Sequence, residues 1–272
     1  MESLEPQRIE GHDILESVYR GSEAWAASDL KYGIDHGLEA LYKYKFGKDN
    51  PPRVATAAMR MGSMTHKFCL EPKDFPNCYA LLDDKRSKQG KETALALQQK
   101  GIETYTTPEM DNLKAIYEAL SKNEFVKKYI IDNNSGKAEQ SFWWTHKATG
   151  LPCKCRCDYV VDDMIIDLKT CQEGGASPDK FTRTICNFHY ELQASHYLQG
   201  VGAKNFIFVA VEKVFPYSIG IYELSNNFIE KGYELQEQTL SKILEATKTG
   251  FWRGYSNSEP NGILKLTPPK WF

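Results

Sequence analysis

Two hydrophobic periods divide the chain, and the change falls near residue 135. Before it, apolar residues recur at helical spacing. Met110, Leu113, Ile116, Tyr117 and Leu120 stand three or four apart, the mark of one buried helix face. Thr107-Pro108 supplies an N-cap and a proline at the first helical position. Ala55 to Cys69 predicts a second, tightly packed helix, rich in small residues, with Gly62 and Ser63 inside and His66 on it. A third starts at Trp25-Ala26-Ala27-Ser28-Asp29-Leu30-Lys31, with Ser28 as N-cap, and runs toward Tyr44 before Asn50-Pro51-Pro52 breaks the chain. The first twenty residues read as a loose arm, Pro72 to Asn77 as a loop, and Asp83 to Lys91 as a charged mobile segment.

After the turn Asn133-Asn134-Ser135-Gly136 the period shortens to that of strands. Glu139 to Thr145 predicts one strand, and Lys147 to Gly150 turns the chain into the next. Cys153 to Val161 and Met164 to Thr170 flank Asp162-Asp163, the pattern of a β-hairpin. Further strands are predicted at Phe206 to Val211 and Ser218 to Glu223, and helices at Phe188 to Gln199 and Phe228 to Lys248. Helices first, then strands interrupted by helices, predict an α/β (α+β) fold. The length of 272 residues allows a substantial core. The chain is read as one domain over 1–272, with a mainly helical part at 1–135 and a strand-rich part at 136–272.

The hairpin carries the candidate chemistry. Side chains alternate along a strand, so Asp167 and Lys169 share a face. On the partner strand Lys154, Arg156 and Asp158 share one face, and Cys153, Cys155 and Cys157 the other. If register permits, Asp158, Asp167 and Lys169 converge. Two carboxylates suit Mg²⁺, which takes oxygen ligands and keeps several waters. The Leu168 carbonyl can face the same ion. Lys169 would orient or deprotonate a water, or stabilise developing charge. The pattern alone leaves a cross-strand ion pair at a sheet edge as the plain alternative. Asp29-Leu30-Lys31 and Asp83-Asp84-Lys85 show the same spacing on a helix and in a loop, and count as decoys.

His66 is either a core histidine or a metal ligand, and as a ligand it favours Mn²⁺ beside Mg²⁺. Glu139 stands at a strand start, where carboxylates are ordinarily exposed. Gln193 and Tyr197 share a helix face, with His189 before them. That face suits a phosphate or a base edge, or is simply polar surface. Cys-x-Cys-x-Cys lacks zinc-site spacing, so buried strand thiols are the simpler account. Lys85, Arg86, Lys88 and Lys91 form the densest basic run. With Arg156, they are the candidates for backbone contacts to nucleic acid.

Composition adds limits. The chain is 41% hydrophobic and 26% charged, with a net charge of −2, so no overall positive field draws it to nucleic acid and any such contact is local. No apolar run is long enough to span a bilayer, and the start is no signal peptide. Seven cysteines, an odd number, fit free thiols in a reducing cytoplasm.

Taken together, several segments resemble the RecE-type (exodeoxyribonuclease VIII-like) exonuclease domain of the PD-(D/E)xK nuclease superfamily, which includes lambda exonuclease. They are Gly62-Ser63-Met64-Thr65-His66 with Leu70-Glu71-Pro72, Glu139, Lys154 to Asp158, Ile166-Asp167-Leu168-Lys169-Thr170, Tyr190 to Tyr197, and Leu266-Thr267-Pro268-Pro269-Lys270-Trp271. The resemblance implies a restriction-endonuclease-like core with a mixed central sheet flanked by helices. It implies a Mg²⁺-dependent exonuclease that degrades the 5′-ended strand of linear duplex DNA, leaving 3′ tails for strand annealing. It further implies a ring-shaped homo-oligomer, a single-strand-annealing recombinase as partner, and a phage or prophage setting. By motif position His66, Asp158, Asp167 and the Leu168 carbonyl would hold metal, Glu139 would assist, Lys169 would be catalytic, and Gln193 and Tyr197 would line the phosphate site. An endonuclease on the same core, or an inactive DNA-binding or assembly protein, are the alternatives.

Overall fold

The computed structural model describes residues 9–11, 14, 16–47, 55–255, 263 and 265–268. The Asn50-Pro51-Pro52 break and the Pro269-Lys270-Trp271 end of the closing motif lie outside the described residues. In chain order the elements are β1 (Ile9–Gly11), α1 (Glu16–Gly21), β2 (Trp25–Ala26), α2 (Ala27–His36), α3 (Leu38–Phe46), α4 (Ala57–Leu70), α5 (Phe75–Cys78), β3 (Tyr79–Leu81), α6 (Lys88–Gln99), β4 (Glu103–Tyr105), α7 (Thr107–Lys122), α8 (Glu124–Val126), a π-helical turn at Lys127–Ile131, β5 (Lys137–Thr145), β6 (Pro152–Val161), β7 (Met164–Cys171), α9 (Pro178–Asn187), α10 (Tyr190–Val201), β8 (Asn205–Glu212), β9 (Ile219–Glu223) and α11 (Asn226–Thr249).

The central sheet is mixed, as predicted. Its order is β1-β5-β6-β7-β8-β9, with β2 also on β6. β7 and β8 are parallel, while β5, β6 and β7 run antiparallel in turn. Parallel neighbours need a long crossover, and α9 with α10 supplies it. One face of the sheet packs Phe142, Cys155, Ile165 and Phe208 with Leu30, Leu192, Leu240 and Ile243 from α2, α10 and α11. The other packs Tyr159, Ile166, Leu168 and Val209 with Ile116 and Leu120 of α7 and Cys69 of α4. The three strand cysteines are fully buried free thiols. Among the described residues, no helix is long and apolar enough to cross a membrane.

Several boundaries differ from expectation, each for a local reason. Helix α2 starts before Ser28: Ala26 is its N-cap, and the Asp29 carboxylate accepts the Ala26 N–H at 3.0 Å. It stops well short of Tyr44, because Gly37 takes φ +82°, a conformation open to glycine, and α3 follows as a separate helix. In α7 the cap is Thr106, one residue earlier than predicted, with Glu109 accepting its N–H at 2.8 Å. The charged segment is partly helical, because Ser87 caps α6 by accepting the Gly90 N–H at 3.0 Å. The loop at 72–77 closes into the short turn α5. The arm at the start contains α1, and β1 pairs antiparallel with β5. The helix expected over Phe188 to Gln199 is α10, which starts two residues later because His189 takes φ +50°; α9 precedes it as a further helix that the pattern does not predict.

Helices α10 and α11 approach closely at Gly232. A Cβ there would lie 2.1 Å from the Glu191 carbonyl oxygen and 2.3 Å from Ser195 Oγ. Ser195 fills the gap, donating to Glu191 O or Ile229 O at 2.9 and 2.7 Å. Because the obstacle is backbone, no rotamer relieves it. We predict that Gly232→Ala destabilises the fold by about 1–3 kcal/mol, read as a lower midpoint in urea or thermal unfolding. An unchanged midpoint would show that the helices are free to separate.

Candidate metal and phosphodiester site

The site forms where strand pairing is interrupted. Strand β5 takes one edge of β6. The other edge is shared: β2 pairs at Cys153 and Lys154, and β7 pairs only from Tyr159 to Val161. Strand β7 parts from β6 beyond Ile166 but stays on β8 to Cys171. In the fork so made, Asp158 Oδ2 accepts the Leu168 N–H at 2.9 Å. A side chain thus satisfies a backbone donor that the ladder has abandoned.

The opposite edge is irregular at the same level. Ala138 pairs with Tyr159 and Gln140 with Cys157, while Glu139 and Asp158 are skipped. Glu139 adopts φ +52°, which costs a non-glycine residue roughly 1–3 kcal/mol. The alternation predicted for β6 changes here: Cys157 packs into one core and Tyr159, two residues on, into the other. This local twist brings Glu139, Asp158 and His66 of α4 together, each offering a ligand atom within 4.8 Å of the others. His66 Nδ1 lies 3.4 Å from Asp158 Oδ2.

Asp167 and Lys169 form the second half. Asp167 is 1% exposed. Its Oδ1 meets the Lys169 ammonium as an ion pair without hydrogen-bond alignment, and its Oδ2 accepts from Gln193 Nε2 at 2.6 Å. Gln193 Oε1 in turn accepts from Lys31 Nζ at 3.2 Å. The Tyr190 ring lies 4.7 Å from the Lys169 ammonium and 5.1 Å from that of Lys31. Asp167 stands outside the tight cluster of His66, Glu139 and Asp158.

The charges set one another. Burial opposes ionisation of Asp158, yet His66, Lys169 and the Leu168 N–H hold its pKa below the usual range. Burial, reinforced by Asp158, pushes Asp167 up despite Lys169. Burial and then Asp158 also raise Glu139. Burial works against charge on His66, but Asp158 outweighs it and lifts the imidazole to about 9. Burial likewise opposes the Lys169 charge, and Asp167 overrides it, so this lysine stays an ammonium. Crowded carboxylates pushed toward protonation suit a bound cation. A donor set of carboxylates with one imidazole fits Mn²⁺ as well as Mg²⁺.

Other predicted residues are placed as follows. Leu168 faces Asp158 with its N–H, and its side chain is buried in the α4–α7 core. Tyr197, one turn beyond Gln193, packs against Phe206 in the core, with ring centroids 6.0 Å apart, and burial raises its phenol. Arg156 is turned inward, donating Nε to Glu139 at 2.7 Å and Nη1 to Ile14 O at 3.1 Å. Lys85 donates to Thr104 O at 3.1 Å, while Arg86, Lys88 and Lys91 are exposed near the start of α6. Lys31 and Tyr190 reach the site without having been assigned a role in it. No pattern in the sequence marks Lys31, because its approach to the site depends on the packing of α2 against α10.

The family described as a PDDEXK-like domain of unknown function (DUF3799) matches residues 38–259. Among solved structures, a protein from Eubacterium rectale provisionally described as an exonuclease superposes with a TM-score of 0.60. It is 17% identical, over 95% of this chain and 96% of that one. At that identity the likeness shows the fold. A second structure, SSO0001, reaches a TM-score of only 0.30 at 17% identity, over 67% of this chain and 86% of that one, and carries no argument. No curated protein matches.

Metal binding here must displace protons. His66 is protonated below about 9, and Glu139 and Asp167 are also raised. Since only deprotonated groups ligate, Mn²⁺ affinity should rise with pH between 6 and 8, by up to about tenfold per unit for each proton released. Calorimetric titration in buffers of different ionisation enthalpy would measure that release. Affinity independent of pH would remove His66 from the ligand set.

Proposed function

The chain belongs to the DUF3799 family of PDDEXK-like domains, and on that premise we propose that it is a divalent-metal-dependent exonuclease acting on linear double-stranded DNA. The observation that carries this reading is the convergence of Asp158, Asp167 and Lys169 at one strand fork, with His66 and Glu139 alongside.

His66, Glu139 and Asp158 would hold a cation, Mg²⁺ or Mn²⁺, and Asp167 would complete its surroundings. The ion, when bound, supplies an activated water and neutralises charge on the phosphate. Lys169 remains an ammonium, because Asp167 raises its pKa. As an ammonium it would serve as a donor to the phosphate or the attacking water. Gln193 fixes the Asp167 carboxylate through its 2.6 Å hydrogen bond.

The resemblance of the motifs to RecE-type domains supports the finer reading: digestion of the 5′-ended strand, a ring of identical subunits around the duplex, and delivery of 3′ tails to an annealing recombinase. Free thiols on all seven cysteines support work in a reducing cytoplasm.

The test is digestion of linear duplex labelled at the 5′ or the 3′ end, with Mg²⁺ or Mn²⁺ and with EDTA as control. Release of the 5′ label first, abolished by EDTA, is the expected result. Lys169→Ala should lower kcat by about 10²–10³-fold with the fold intact by circular dichroism, and Asp167→Ala at least as much. Cutting of closed circular DNA would mark an endonuclease. Full activity in either variant would overturn the assignment.

A further inference from the structure

We propose that Lys31 is a positioning residue of this centre, holding the Gln193 amide in the one orientation that lets it donate to Asp167. The inference rests on the nuclease reading for its kinetic consequence, but the geometry behind it does not.

A glutamine side chain has two unlike ends, an acceptor oxygen and a donor NH₂. Gln193 is 7% exposed, so water does little to choose between its two flips. Its neighbours decide instead. Asp167 Oδ2 lies 2.6 Å from one end and, as a carboxylate, accepts there. The Lys31 ammonium lies 3.2 Å from the other end and only donates. The two partners act on opposite ends of one amide and demand the same orientation. Removing Lys31 leaves a buried carbonyl oxygen without this donor and frees the amide to rotate. The flipped amide would set oxygen against carboxylate and release Asp167.

Lys31 is itself held in place. Ala27, Leu30 and Gly33 bury the same helix in the core, and helix α2 packs against α10, which carries Gln193. The Tyr190 ring lies beneath the Lys31 ammonium, a favourable cation–π arrangement. Burial and then the nearby Lys169 charge lower its pKa to about 8, with Asp167, Glu191 and Asp35 pulling the other way.

The experiment is a double-mutant cycle on linear duplex DNA with Lys31→Met, Gln193→Ala and the pair. A positioning role predicts that Lys31→Met lowers kcat about 10–100-fold with KM for DNA little changed. It predicts almost no further loss in the Gln193→Ala background, and recovery of most activity in Lys31→Arg, which keeps a donor. Additive losses, or a rise in KM at unchanged kcat, would make Lys31 a direct DNA contact and overturn the proposal. Proton exchange at the Gln193 side-chain amide, followed by NMR without DNA, is the second measurement. It should be slow in the wild type and in Lys31→Arg, and markedly faster in Lys31→Met. Equal exchange in all three overturns the proposal even if the protein proves to have no nuclease activity. An inactive wild type with faster exchange in Lys31→Met would sink the nuclease reading and leave the positioning role standing.

Discussion

The hydrogen bond from the Leu168 N–H to Asp158 is the constraint on which the site depends. Two adjacent strands ordinarily exchange backbone hydrogen bonds until one ends. Here β7 leaves β6 in mid-course, and the exposed donor would be costly if nothing met it. The Asp158 carboxylate meets it, and in doing so places a charge inside the sheet. That position opens toward both helical layers. His66 approaches from α4 on one side, and Lys169 and Gln193 gather around Asp167 on the side of α10. A continuous ladder would have sealed the sheet and kept the two groups apart.

A buried centre of this kind stands only as a network. Glu139, Asp158 and Asp167 are balanced by Arg156, His66 and Lys169 at contact distance. Each ion loses hydration on burial, and an isolated pair returns that loss poorly. Here most members touch more than one partner, so removing one leaves others uncompensated. The protonated His66 acts as a placeholder charge beside Asp158. A cation entering the cluster would replace a proton there, leaving the total charge of the buried site less disturbed than its formal +2 suggests.

Much of this arrangement was legible in the sequence because strands with one period and a two-residue turn specify their register closely. The hairpin and the shared face of Asp167 and Lys169 follow from period-two counting, and the helix bearing His66 from its small residues, whereas Asp158 reaches its place through the break in alternation beside Glu139. What escaped depends on tertiary contacts. Nothing marks Glu139 as left-handed, since that conformation is usual for glycine or asparagine and is imposed here by the strands around it. Helix α9 buries only Phe181 and Ile185, too few apolar positions to stand out among its polar neighbours. Lys31 looked like part of a chance Asp-x-Lys on a helix. Its meaning appears only when α2 is laid against α10. Ser28 looked like a cap because serine commonly is one, but Asp29 stabilises the helix start from inside the first turn.

Strand β6 also reaches in the opposite direction from its acids. Lys154, 4% exposed, donates to the carbonyls of Tyr19 and Ser22 at 2.7 Å, and Arg156 reaches Ile14 O. Both basic side chains of the strand that bears Asp158 are thus anchored in the chain's opening segment. The polar, weakly patterned residues before Trp25 look expendable, the kind of stretch trimmed when a boundary is chosen by eye. Cutting there would strip the buried Lys154 of its two carbonyl acceptors, take the Ile14 contact from Arg156, and loosen the strand beneath the acids. The architecture makes the least conspicuous part of the sequence a foundation for its most conspicuous part.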